Sequence, residues 1–114
     1  MPPLLEIHRK PATDIEPLVI QLSGKLSLET VHDFSTQMRA EEAGRVILDM
    51  SQLTFLDSAG VGALVSMFVS RRNHGKTLAL AALTQQGNAV MQVSGLIKLL
   101  PIFPSVQAAV LQRP

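Results

Sequence analysis

Between positions 44 and 83 the chain carries an aliphatic run, a turn of small residues, a long amphipathic stretch and a second aliphatic run. This succession restricts the fold more than any other feature. Val46, Ile47 and Leu48, bounded by Gly44 and Asp49, form a compact run that suits a strand covered on both faces, as in a parallel sheet. Val61, Leu64, Val65, Phe68 and Val69 fall at i, i+3, i+4, i+7 and i+8, one face of a helix. Arg71 and Arg72 stand where cations complement the helix dipole, and Asn73, His74 and Gly75 stop it. Residues 77–83 (TLALAAL) predict another strand. Strand, helix and strand over residues 45–83 make one βαβ unit, whose crossover should be right-handed.

The flanks extend the same layer. Leu4, Leu5, Glu6 and Ile7 predict a short first strand, and residues 11–17 a polar turn with two prolines that cannot donate to a ladder. Residues 18–22 predict a second strand in a hairpin with the first, ended by Ser23, Gly24 and Lys25. Leu28, Val31, Phe34 and Met38 then recur at helical intervals, with Ser27 as N-cap and Glu29 in the first turn. A weaker helix over 85–94 ending at Gly95, an edge strand over 99–103 and a last helix over 105–111 complete the chain. The expectation is a single domain over residues 1–114. It is a mixed α/β layer of four to five strands, with about four helices chiefly on one face.

Composition removes several function classes. At 114 residues and 46% apolar content, one core without staples suffices. The absence of cysteine excludes disulfide frameworks, thiol chemistry and Cys-type zinc sites. Four Phe with no Trp or Tyr argue against a base-stacking platform, and ten basic residues nearly cancel nine acidic ones, so no direct nucleic-acid partner is expected. All nine carboxylates lie at or before Asp57, however. Residues 1–57 carry a balance of −4 and residues 58–114 a balance of +5. That split reads either as drift in a short chain or as a bipolar molecule whose second half approaches an acidic partner. Met1, Pro2 and Pro3 lack the pattern of a secretory signal. The longest apolar stretch, 61–69, is far short of the ~18 residues of a membrane span. A cytoplasmic protein with no membrane span is therefore expected.

One place concentrates unusual choices: Asp57, Ser58, Ala59, Gly60, Val61 and Gly62, where a loop enters the long helix. Asp57 or Ser58 can cap the first free N–H groups, and small residues suit tight helix–sheet packing. The same physics permits a switch. A helix start tolerates negative charge, so a phosphate on Ser58 would not melt the helix, while Gly60 and Gly62 leave the surface around it open. Competing chemistries fail. Gly75, Lys76 and Thr77 imitate the end of a P-loop but run from helix to strand, the reverse of what that motif needs. Around Ser58 the first glycine of a hydrolase nucleophile elbow is missing. His74, the only histidine after Ser58, lies ~24 Å along the helix at 1.5 Å per residue. His8, His32 and His74 show no metal spacing, so no enzyme, metal or cofactor is expected.

The segment VILDMSQLTFLDSAGVGAL resembles the signature of STAS domains, specifically the bacterial anti-sigma factor antagonists. Their pattern is an aliphatic strand, a polar turn, then aromatic-aliphatic-Asp-Ser-Ser/Thr-Gly-aliphatic-Gly. Gly24, its spacing to the first helix, and Val93, Ser94, Gly95 and Leu96 extend the resemblance over residues 4–112. It implies a non-enzymatic partner-switching module that regulates transcription through sigma factor availability. In that family the unmodified protein binds an anti-sigma factor that is also a serine kinase. The resemblance implies that phosphorylation at Ser58 weakens the complex and that a serine phosphatase restores it. The implied docking surface comprises Lys25, Ser27, Asp57, Ser58, Ala59, Gly60, Gly62 and Ser66. Two departures stand out. Ala59 replaces a second hydroxyl, and the family's Gly-Glu-Leu-Asp loop reads Gly24, Lys25, Leu26, Ser27 here, which implies a partner of altered charge. The alternative is a non-switching STAS subunit of a stress-sensing assembly or lipid transporter, with Ser58 only a cap.

Overall fold

A computed structural model describes residues 3–10 and 17–112 of the chain. Its centre is a five-stranded sheet in the order β1-β2-β3-β4-β5. β1 (Leu5–Arg9) and β2 (Leu18–Leu26) pair antiparallel, and β3 (Arg45–Leu56), β4 (Thr77–Ala81) and β5 (Ile102–Phe103) follow in parallel. The helices are α1 (Val31–Arg39), α2 (Ser58–Asn73), α3 (Gln85–Ser94) and α4 (Val106–Leu111), with a 3-10 turn at Leu96–Lys98. The mixed α/β layer is therefore as expected. The turn expected over 11–17 lies, apart from Pro17, outside the described residues.

Burial follows from the sheet's two covered faces. Phe34 and Met38 of α1, Leu64 and Met67 of α2 and Met91 of α3 pack with Ile20, Leu22, Val46, Leu48, Leu78 and Leu80. On the opposite face Ala109 and Val106 of α4 meet Ile47, Ala81 and Phe103. Val46 through Met50 are consequently all buried, because side chains of both parities find a cover. Arg45 fastens α4 to the sheet by donating to the carbonyls of Ala109 (2.8 Å) and Val110 (3.2 Å), where a helix end favours a cation.

Several boundaries depart from the sequence expectation, each for a physical reason. β2 does not end at Ser23; it runs on to Leu26. Gly24 makes this possible at φ +105°, since a Cβ there would stand 2.2 Å from the Leu4 carbonyl oxygen. β3 does not stop at Asp49 but spans twelve residues. Two register shifts against β2 each add one residue to β3, which turns the alternating pattern into Met50, Leu53 and Leu56 facing inward at intervals of three. Such spacing reads as a polar turn when only the sequence is seen.

Because Leu26 still pairs with Leu56, α1 starts late. Thr30 occupies the cap position without a side-chain cap bond, Ser27 lies in the preceding turn, and Glu29 precedes the helix, leaving Asp33 as the acid of the first turn. Leu28, expected on the buried stripe, is 75% exposed. On α2 the buried ridge is Gly60, Val61, Leu64, Met67 and Arg71, while Val65 and Phe68 are half-buried and Val69 is exposed. Apolar residues surround this helix, so periodicity alone misplaces its inner face by about one position. At Ala82, φ is +59°, and β4 ends before it rather than at Leu83. The edge strand contracts to Ile102–Phe103: the Leu99 N–H closes the 3-10 turn onto the Leu96 carbonyl at 3.0 Å, and Pro101 has no N–H to give a ladder.

Arg71 is more than a dipole partner. It is buried, its Nε donates to the Thr77 carbonyl at 2.8 Å, and its guanidinium also donates to the Ala43 carbonyl. One side chain thus links the end of α2 to the starts of β3 and β4, and it does not contribute to an exposed basic patch. Replacing Arg71 with Met should strand both carbonyls and lower the free energy of unfolding by about 2–3 kcal/mol in urea denaturation. An unchanged midpoint and slope would refute this role.

Candidate functional site

β3 delivers the chain to Asp57, and α2 carries it away. Asp57 sits at the helix cap in extended conformation (ψ −177°), and its Oδ1 accepts the Gly60 N–H at 2.9 Å. Its other oxygen accepts the Leu28 N–H at 3.1 Å, across 29 residues of sequence. One carboxylate therefore caps α2 and holds the turn that precedes α1. A second clamp comes from α3. The Gln86 side chain accepts from the Leu56 N–H at 3.0 Å and donates to the Leu56 carbonyl at 2.8 Å, fixing the residue just before Asp57.

Ser58 is the first residue of α2 and is exposed. Its hydroxyl makes no hydrogen bond among the described residues, and no acceptor there meets the N–H groups of Ser58 and Ala59. A hydroxyl thus faces solvent beside free amides at the positive end of a sixteen-residue helix.

The two glycines that follow do different work. Gly60 was expected to open the surface, but it is buried: a Cβ would lie 2.3 Å from the Leu26 carbonyl oxygen and 2.8 Å from Leu56 Cδ1. It lets the helix start press against the ends of β2 and β3. Gly62 is exposed with nothing near its missing Cβ, and it does leave open surface. Ala59 is half-buried between them.

Lys25, Ser27 and Asp57 come together on a shallow cleft of about 560 Å³ beside Ser58. Lys25 is exposed and pairs with Phe55 across the β2–β3 ladder. Ser27 is buried. Its N–H donates to Thr30 Oγ1 at 3.0 Å, its carbonyl accepts from Thr30 and Val31, and its own hydroxyl is without a partner. Leu28 and Phe55, the latter 40% exposed, flank this cleft as apolar walls that sequence reasoning did not assign to the site. The three-residue spacing of Leu53 and Leu56 was the available signal, because it turns both Thr54 and Phe55 outward. Ser66 does not join this group. It lies two turns along α2, ~12 Å from Ser58 at 1.5 Å per residue, and lines a separate cavity against α1.

Comparison with known proteins agrees with this architecture. The family model described as STAS domain matches residues 6–109. An anti-sigma F factor antagonist of Paenibacillus polymyxa is 26% identical over 90 residues, which cover 75% of this chain and 77% of that protein. The crystal structure of an anti-sigma factor antagonist from Mycobacterium paratuberculosis is similar, with a TM-score of 0.79 and 18% identity over 95% of both chains. The anti-sigma factor antagonist SpoIIAA is similar in its unphosphorylated form (TM-score 0.70, 23% identity, 92% of this chain and 93% of that one). It is also similar in its phosphorylated form, from Bacillus (TM-score 0.69, 21% identity, 92% and 96%).

The two glycines give a paired test. Gly60→Ala forces a methyl group into backbone and should cost about 1–3 kcal/mol. Gly62→Ala, at an open helical position, should add up to about 1 kcal/mol. Thermal unfolding of both variants checks the contrast, and equal shifts would contradict the close approach at Gly60.

Proposed function

The chain belongs to the STAS domain family, and on that footing we propose that it is an anti-sigma factor antagonist switched by phosphorylation of Ser58. It is a binding module, not an enzyme. Unmodified, it docks an anti-sigma factor that is also a serine kinase and so frees a sigma factor for transcription. Phosphorylated, it is released, and a serine phosphatase returns it to the binding form. The docking surface is Lys25 with Asp57, Ser58, Ala59 and Gly62; Ser27 and Gly60 are buried and support it from beneath, and Ser66 lies apart on the cavity against α1.

The observation that carries this reading is the exposed Ser58 hydroxyl at the start of α2, beside amides that have no acceptor among the described residues. A phosphate there adds about −1.5 to −2 charges next to a helix end that favours anions. The helix keeps its structure, and the cost falls on whatever is docked against it. Asp57 supports the same conclusion from the other side. With its oxygens bonded to Leu28 and Gly60 amides, it orients the turn that presents the serine. Ala59 leaves Ser58 as the single hydroxyl of the motif, and the names of the similar proteins fit the assignment.

Lys25 shapes the choice of partner. It stands on the cleft next to Asp57, so the opposing surface carries acidic rather than basic groups. Incubation with candidate anti-sigma kinases and ATP should give one phosphate, mapped by mass spectrometry to Ser58 and absent from Ser58→Ala. Phosphorylation should weaken the complex by about tenfold or more, and Lys25→Glu should change the unmodified affinity by a similar factor. Phosphate at another residue would discard the site. A stoichiometric complex that ATP does not dissociate would favour a fixed subunit of a larger assembly.

A further inference from the structure

Between α1 and the second half of α2 lies a cavity of about 460 Å³, inside the range of roughly 300–1,000 Å³ typical of small-molecule sites. Met67, in its lining, is nine residues beyond Ser58, ~14 Å along the helix. Met38, Ala63 and Met67 make its floor, and thioether side chains adapt readily to an apolar guest. Its rim holds Arg39 from the end of α1, then His74 and Lys76 from beyond the end of α2.

The charge at this rim is not self-compensated. Both helices present carbonyl ends here, and most of the cations answer them. Arg39 Nε donates to the Ser35 carbonyl at 3.3 Å, His74 Nδ1 bonds the Ser70 carbonyl at 2.7 Å, and Arg71 is held by the Thr77 and Ala43 carbonyls. Lys76 differs. It is half-buried, and its amine has neither an acceptor nor an ion pair among the described residues. The carboxylate in the lining, Glu41, is engaged elsewhere, by Arg9 at 3.0 Å and by the Ala43 N–H at 3.0 Å. Burial raises the Glu41 pKa, but the Ala43 N–H and Arg9 more than offset that and hold it below the usual carboxylate range. Glu41 stays ionised with a partner of its own, and Lys76 and Arg39, both lining the cavity, have no carboxylate partner among the described residues.

We propose that this cavity binds a single-chain anionic amphiphile, its chain on Met38, Ala63 and Met67 and its headgroup between Lys76 and Arg39. The apolar floor selects the chain, and the unanswered cation selects a carboxylate or phosphate head. The site is separate from the Ser58 surface and does not depend on the function assigned there.

Methyl NMR of the methionines in the full chain tests the assignment, with decanoate, decyl phosphate, decanol and inorganic phosphate as probes below any micelle-forming concentration. Decanoate, decyl phosphate or both should move the Met38 and Met67 methyl signals to saturation, and which of them binds identifies the head. Decanol and inorganic phosphate should bind about tenfold more weakly, each lacking one of the two contacts. Lys76→Gln should weaken the anionic probes by about fivefold while leaving decanol unchanged. Ala63→Phe, which fills the floor, should abolish binding if circular dichroism shows it folded; Lys76→Gln decides the matter otherwise. The proposal is overturned by absence of saturable shifts at Met38 and Met67 with both anionic chains. Decanol or inorganic phosphate binding as tightly as those chains, or indifference to Lys76→Gln, overturns it equally.

Discussion

A single carboxylate joins the parts of this molecule that chemistry could use. Asp57 accepts one amide from the first turn of α2 and one from the turn before α1, so two segments 29 residues apart are held in one arrangement. Such bonds to an ionised acceptor are stronger than neutral ones, and the cap alone is worth about 1 kcal/mol. Gly60 supplies the complementary condition, since only a residue without a Cβ lets the helix approach the Leu26 carbonyl this closely. The exposed position of Ser58 follows from these two residues rather than from any property of serine.

The layer order, the parallel core and the helices were legible because aliphatic runs and helical periodicity are local signals. β3 reads as a buried strand from Val46, Ile47 and Leu48, and the end of α3 reads from Gly95. What escaped was set by partners distant in sequence. Gly24 looks like a strand end until the Leu4 carbonyl is known to lie against it. Leu28 fits a helical stripe, yet the pairing of Leu26 with Leu56 delays the helix past it. Asp57 and Ser58 stood out as a motif, whereas the clamp from Gln86 and the walls formed by Leu28 and Phe55 depend on how β3 bulges.

α2 has two ends of opposite electrical character, and the chain uses both. Its start offers bare amides and no acid in the first turn other than the capping Asp57. Its end gathers Arg71, Arg72, His74 and Lys76, of which Arg71 and His74 bond carbonyls. The crowding of all carboxylates into the first half of the sequence has a structural outcome here: among the described residues, the one carboxylate lining the cavity at the cationic end of α2 is Glu41, which already belongs to Arg9. Arg71, the most buried of these cations, holds β3 and β4 to that end, so the site at the start of the helix rests on a frame fixed at the opposite end.

The borders of the sheet carry a last implication. β5 is two residues long and has Pro101 and Pro104 on either side, so a passing chain finds almost no ladder to lengthen there. The other margin, β1, exposes His8 and Arg9 and carries Glu6, and an incoming strand would have to desolvate charge to lie along it. Fibril-like stacking is thus discouraged at both rims by different means, one by brevity and the other by hydration.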